Sequence, residues 1–368
     1  MPEDTTANGQ QRRTFLKTAG SVATVGIAGC AGGDEANTES GTDGTNSSDG
    51  ESDTSAQGSS GDTLSLSIPE AANFDPVQIK GDGSQIVSDH VFSELLTLPS
   101  DGLEPTAQLV SDYSVSEDGR TYIFTLREDV TFHNGDGLTA DDVVYSWERL
   151  AASDNSQEAE SILEGSFRIA HETTTETIDD EEQEVYRPGS LAVEAVDDYT
   201  LEVTLEQPFF DALFWFAYGS LSPVPEGIVG DIEGYDGEVE YAEFSSQSPV
   251  GTGPFQAESV ETGTEVVLSA ADDYHGDEPG PDRIAMQVVQ NSDAIHQRAV
   301  NQSVQIFQLP NSRFDPGKVS IEETQDLGQE VGTYGPLEND ETVNYSTWDE
   351  AYTAYFIFDC SRVEKPVR

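Results

Sequence analysis

Residues 31–61 contain Gly, Ser, Thr, Asp, Glu, Asn and Gln, and their only apolar side chains are the methyl groups of Ala31, Ala36 and Ala56. Such a segment cannot bury enough surface to offset the entropy of ordering it, so it reads as a flexible linker. As a random coil it has an average reach of roughly 30 Å. The linker divides the chain: whatever packs must be built from residues 62–368, and whatever precedes the linker is a separate device.

That preceding device reads as an address. Arg12-Arg13-Thr14-Phe15-Leu16-Lys17 is followed by a mildly apolar run from Thr18 to Gly29. The run is too short and too rich in small residues to span a bilayer, and a basic region before a short apolar one is the pattern of a signal peptide. The pair Arg12 and Arg13, with Phe15 and Leu16 just beyond, resembles the twin-arginine export signal. Ile27-Ala28-Gly29-Cys30 resembles a lipobox, in which small residues admit a peptidase and the Cys30 thiolate accepts the lipid. Stable anchoring takes two acyl chains rather than one. The expectation is a twin-arginine lipoprotein signal over residues 1–29, then a lipid-anchored linker over 30–61 that holds a domain against the outer face of a cell membrane. With Cys30 committed to lipid, Cys360 has no thiol partner, so no disulfide framework is expected.

Charge limits the partners. The sequence carries 71 Asp+Glu against 16 Lys+Arg, a formal net charge of -55. Phosphate backbones are held by clustered Lys and Arg, so nucleic acid is excluded as a partner. The acid is spread along the chain rather than confined to a tail, as at 179–184, 233–243, 272–282 and 338–341. Self-repulsion of this size destabilises a compact state in dilute buffer, whereas at 1 M salt the screening length falls to about 3 Å. The composition resembles that of proteins from extreme halophiles. Hydrophobic residues still make up 35% of the sequence, with 16 Phe and 13 Tyr, enough for a core.

Within 62–368 the patterns are mixed α/β. Leu64, Leu66 and Ile68 alternate with Ser and Thr as a half-buried strand. A short helix is expected over Ile86–Leu98, with Ile86, Val91, Leu95 and Leu98 on one face. Asp118-Gly119 between Tyr113–Ser116 and Thr121–Leu126 signals a hairpin, with Tyr122, Phe124 and Leu126 sharing a face. Thr139 and Asp142 read as a capping box opening a helix to Leu150, with Val143, Trp147 and Leu150 apolar and Tyr145 on its flank. Leu191–Val196 and Thr200–Leu205 form a second hairpin about Asp197-Asp198. The aromatic run Phe209, Phe210, Leu213, Phe214, Trp215, Phe216 reads as buried core. Val266–Leu268 and Ile284–Val288 are further strands.

Catalytic signatures are absent. No G-x-S-x-G elbow and no P-loop occur, and Gln256 stands where a dinucleotide fingerprint beginning at Gly251 needs glycine. His90, His133, His171, His275 and His296 show no metal-ligand spacing, and no metal or cofactor is expected. A carboxylate pair for glycoside cleavage is available many times over and therefore singles out nothing.

A resemblance supplies what these patterns do not. Leu109–Tyr113, Glu117–Arg127, Val130–Gly135 and Leu138–Leu150 together resemble the family 5 solute-binding proteins of ABC transporters, the peptide and nickel group. Pro249-Val250-Gly251-Thr252-Gly253-Pro254-Phe255 is similar to a second motif of that family. Asp273–Pro279 is similar to a third, with His275 where the family often has Trp. Gln302-Ser303-Val304-Gln305 departs from the small-residue turn usual after the corresponding helix.

The resemblance implies an α/β, two-lobed periplasmic-binding-protein-like fold of type II with an extra inserted domain. Residues 62–98 and 206–350 would form the first lobe, 99–205 the inserted domain, and 351–368 the start of a second lobe that is largely missing. It implies capture of a peptide or similar small solute without catalysis, for delivery to an ABC permease and its ATPase subunits. The ligand-binding segment it implies is Ile79, Lys80, Gly81, Asp82 and Gly83, a glycine-bearing turn whose backbone a ligand could approach closely. The competing expectation is a surface-anchored enzyme or structural cell-surface protein reusing the first-lobe scaffold.

Overall fold

A computed structural model of the chain describes residues 62–99, 104–178, 181–308, 312–324 and 329–347. The export signal at Arg12, Arg13, Phe15 and Leu16, the lipidation site Cys30, the linker, Cys360 and segment 351–368 lie outside the described residues.

The chain enters through β1 (Thr63–Ile68), whose Leu-Ser alternation sets one face inward, and Pro69 follows it directly. Helix α1 (Asp82–Val91), the short pair β2 (Leu96–Thr97) and β3 (Thr106–Ala107), and the hairpin β4 (Val110–Val115) and β5 (Thr121–Leu126) come next. Helix α2 (Ala140–Ala152) and the single turn α3 (Glu160–Leu163) precede a ribbon of β6 (Thr173–Ile178) and β7 (Glu181–Tyr186). Strands β8 (Val193–Asp197) and β9 (Thr200–Thr204) make a second hairpin, followed by the short helices α4 (Ala212–Trp215) and α5 (Tyr241–Ser246). The rest is β10 (Phe255–Glu261), β11 (Glu265–Ala270), β12 (Arg283–Val288), α6 (Ser292–Val300), β13 (Val319–Thr324), β14 (Glu330–Tyr334) and β15 (Val343–Ser346).

Two four-stranded sheets carry the fold. The first runs β1-β12-β11-β10, with β1 parallel to β12 from Thr63 opposite Arg283 to Ile68 opposite Val288. The second, β4-β5-β9-β8, is antiparallel throughout and is built by joining the two hairpins along β5 and β9. The parallel pair therefore encloses an excursion that contains the whole second sheet. Each sheet has its own core. Phe124, Leu126, Leu201, Val203, Phe167 and Phe216 are buried under the second sheet, whereas Ile68, Phe74, Val87, Phe244, Leu268 and Met286 are buried against the first.

Helix α2 serves both cores. Thr139 N and Thr139 Oγ1 both donate to Asp142 Oδ2, at 2.7 and 2.9 Å, closing the expected box at the positive end of the helix. Val143, Trp147 and Leu150 enter the core of the second sheet, and Trp147 Nε1 donates to the Leu221 carbonyl at 2.9 Å. Tyr145 points the other way into the first core, with its hydroxyl donating to the Val229 carbonyl.

Two expected elements differ. The first helix spans Asp82–Val91 rather than Ile86–Leu98, and Phe92 turns the chain to extended backbone, so Leu96 pairs across to Ala107 as a strand. A short apolar run such as Leu95–Leu98 satisfies a helix face and a buried strand equally, and pairing decided between them. The aromatic run is split. Phe216 is fully buried, edge-on to Phe124 at 4.8 Å, but Phe210 is 99% exposed and Phe214 and Tyr218 also reach solvent. Phe210 precedes the α4 turn, Phe214 lies within it and Tyr218 follows it.

Candidate functional site

Motifs that are distant in sequence meet at the end of α1. The His133 N–H donates to the Gly251 carbonyl at 2.9 Å, and its Nε2 lies 2.9 Å from the Gly253 carbonyl, which fixes that nitrogen as the donor. Burial pushes the His133 imidazole down, so it is held neutral. Gly253 N donates to the Val91 carbonyl, and a Cβ on Gly253 would stand 2.5 Å from the His90 carbonyl oxygen. Glycine is required here for contact with the protein's own helix end, not with a ligand. Arg127 joins the third motif by donating to the His275 carbonyl at 2.8 Å while pairing with Asp129. The motif residues act as joints.

Among the described residues, the largest buried polar side chain is an arginine. Arg149, on the last turn of α2, is fully buried between Asp75 and Asp231. Its Nη2 donates to Asp75 Oδ2 at 2.7 Å and its Nε to Asp231 Oδ1 at 2.7 Å, while its guanidinium carbon sits 5.7 Å from the centre of the Phe244 ring. Ser153 and Asn155 add hydrogen bonds to Asp231 Oδ2. Burial works against the guanidinium, but the charges and hydrogen bonds of Asp75 and Asp231 outweigh it and raise its pKa. This cluster has all its partners within the fold and is structural.

An open pocket of about 490 Å³ lies between the loop after β1 and the start of α1. Its lining includes Asn73, Gln78, Lys80, Gly81, Ser84 and Gln157. Gly81 caps α1 at φ +85, with open space where a Cβ would point, so glycine is there for backbone conformation. Asn73 Nδ2 and the Tyr241 hydroxyl both donate to Gln78 Oε1 at 2.5 Å, which holds the amide side chains in place. Ser84 Oγ accepts from Ala72 N at 3.3 Å. Lys80 is exposed at the rim. The pocket offers amide donors and acceptors, a hydroxyl and one cation, the set that suits a short polar ligand bearing a carboxylate.

Of the five residues expected to bind ligand, Lys80 and Gly81 line this pocket and Ile79, Asp82 and Gly83 do not. Asp82 and Gly83 belong to the first turn of α1 rather than to a turn, and a Cβ on Gly83 would lie 2.6 Å from the carbonyl oxygens of Pro69 and Glu70. That glycine allows close packing of the helix on the end of β1. Asn73, Gln78, Ser84 and Gln157 carried no sequence signal, because isolated polar residues are common and Gln157 comes from the segment after α2, far along the chain from the others.

These joints and the open polar pocket sit on a mixed α/β frame of two four-stranded sheets. The periplasmic binding protein DppA of Helicobacter pylori, solved in complex with the peptide STSA, has the same fold, with a TM-score of 0.55 at 22% identity over 68% of this chain and 47% of that one. The model of the bacterial extracellular solute-binding proteins, family 5 middle region, matches residues 104–358, and the chain belongs to that family. Among curated relatives, it is 30% identical to the dipeptide-binding protein DppE of Bacillus subtilis over 56% of this chain and 35% of DppE. It is 26% identical to the oligopeptide-binding protein AppA of the same organism over 68% of this chain and 41% of AppA. The chain thus matches well under half of the length of these relatives.

Proposed function

We propose that this chain is the extracytoplasmic substrate-binding component of an ABC importer, capturing peptides or similar small solutes for a membrane permease and its ATPase subunits. The observation that carries this reading is the family match over residues 104–358. The peptide-binding names of DppE and AppA favour peptides within that family. The pocket at Lys80 and Gly81 contributes to the ligand site, with Lys80 facing a ligand carboxylate.

The domain plan that accompanies this reading places 62–98 and 206–350 in one lobe and 99–205 in an inserted domain. The parallel pairing of β1 with β12, across the excursion, supports it. Export through Arg12, Arg13, Phe15 and Leu16 and lipidation at Cys30 would hold the protein at the outer membrane face, tethered by 31–61. Replacing Cys30→Ala is expected to release the protein to the medium.

The decisive experiment titrates the purified chain in molar KCl with mixed di- to pentapeptides and follows the melting temperature. Saturable stabilisation without peptide turnover is expected, since a ligand that binds only the folded state raises its stability. Lys80→Ala should weaken it. Peptide hydrolysis, or no saturable shift with any pool, would sink the reading.

A further inference from the structure

A second cavity, of about 370 Å³, opens between the outer face of α2, the loop joining β7 to β8, and residues 232–235. None of its lining residues belongs to the Lys80 pocket. Its walls are mostly apolar, from Val144, Leu191, Val193 and Ile232, with the Tyr145 and Tyr235 rings 4.7 Å apart along one side. One polar group is fixed within it. Glu148 Oε2 accepts from the Tyr186 hydroxyl at 2.7 Å, and Glu148 Oε1 accepts from Gly189 N at 2.6 Å.

Burial first, and then the Glu148 carboxylate, push the Tyr186 phenol up, so it remains a donor and cannot take charge from Glu148. Among the described residues no Lys, Arg or His pairs with Glu148, although seven of the eight ion pairs there use arginine. Glu233 adds a second carboxylate to the lining, and no cationic side chain contributes to it. The result is a half-buried carboxylate held at a fixed orientation by two neutral donors and surrounded by hydrocarbon and aromatic faces. A carboxylate in such a place is completed by a cation, and apolar walls favour a cation with an apolar stem over a hydrated metal ion. At roughly 30 Å³ per non-hydrogen atom the cavity accommodates on the order of ten such atoms.

We propose that this crevice is a second binding site, for a small organic ammonium compound whose charged head pairs with Glu148 and whose alkyl stem lies against Val144, Leu191 and Val193. The site is independent of the peptide reading. Its ligand is the opposite in charge of one anchored by Lys80, and its residues come from α2 and the segments packed on it.

The test uses n-butylammonium as probe with the full chain in molar KCl, read by calorimetric titration and by melting temperature, with n-butanol as the neutral control. Saturable binding of the ammonium and none of the alcohol is expected. Glu148→Gln keeps an oxygen to accept from Gly189 N, lets its amide nitrogen donate to the Tyr186 hydroxyl oxygen and removes the charge, and should weaken binding at least about tenfold, as for loss of a charged hydrogen bond. Ala152→Leu, which fills the crevice while retaining Glu148, should also weaken binding, whereas Lys80→Ala should leave it unchanged. Equal binding of butanol, unchanged affinity in Glu148→Gln, or no saturable binding in a folded wild-type chain would overturn the proposal. Loss of peptide binding in Lys80→Ala with retained ammonium binding separates this site from the proposed peptide pocket.

Discussion

Arg149 donates to both carboxylate oxygens of Asp75, at 2.7 and 3.3 Å, with both side chains fully buried. The two residues lie in the region before α1 and at the end of α2, so the pair fastens the helix shared by both cores to the loop that forms the Lys80 pocket. Asp231 completes the charge cluster from a third segment.

Arg149→Met is expected to destabilise the protein by about 3–5 kcal/mol, because it leaves two buried carboxylates without a cation. Denaturant unfolding in high salt measures this, and adding Asp75→Asn and Asp231→Asn to the variant should recover part of the loss. Burial alone would raise the Asp231 carboxyl, but the hydrogen bonds and charge of Arg149 bring it below its ordinary value. A depressed folded pKa stabilises above the unfolded value and loses that contribution as pH falls through the folded one. Wild-type stability should therefore fall on acidification below the ordinary carboxylate range, and that acid-side loss should be smaller in the triple variant.

Glu94 has the opposite sign. Burial, and then the nearby Asp89 charge, push its carboxyl from 4.5 up to about 8. Between those values the unfolded chain has lost a proton that the folded chain keeps, so stability falls as pH rises from about 4.5 to about 8 and levels off above. At roughly 1.4 kcal/mol per unit, the rise from 4.5 to about 8 amounts to at most on the order of 5 kcal/mol. Glu94→Gln should flatten that slope and be more stable than wild type at pH 8 and above. An unchanged slope in the variant would show that Glu94 is ionised in the folded state.

Two residues of one aromatic run should respond differently. Phe216→Ala removes the ring packed on Phe124, Trp147 and Phe167 and should cost about 3–5 kcal/mol. Phe210→Ser changes a side chain that is 99% exposed and should stay within about 0.5 kcal/mol of wild type. Unfolding midpoints of the two variants decide this.

Gly253→Ala places a methyl group against the His90 and Val91 backbone and is expected to lower stability by about 1–3 kcal/mol. The same substitution at Gly137, where a Cβ meets nothing, is the control and should be near neutral.

A net charge of -55 predicts that transfer from molar to millimolar KCl unfolds the chain. Circular dichroism across that range tests it, and a signal that does not change would refute a salt-adapted surface.

The hairpin from Tyr113 to Leu126 was legible because its information is local: alternation sets the inward face, and Asp118-Gly119 sets the turn, with Gly119 at φ +71. The capping box of α2 is likewise written within four residues. The helix at Asp82–Val91 was only half legible. Its first turn, Asp82-Gly83-Ser84, looks like a loop, and Gly83 is there because the end of β1 lies against it. The split at Phe210 was not legible, since aromatic content alone does not say which side of a single helical turn meets the core.

The sequence by itself determined the local hairpins, the α2 cap and the family, through runs of residues whose meaning is carried by their neighbours in the chain. Tertiary structure alone chose which of 71 acids neutralise Arg149, since Asp75 and Asp231 lie 74 and 82 residues away and nothing local distinguishes them from the rest. It also gathered Asn73, Lys80 and Gln157 into one pocket and placed Glu148 in another where, among the described residues, no cation pairs with it. Local patterns fix φ/ψ and faces. Which faces meet is decided only when the β1–β12 pairing closes the excursion between them.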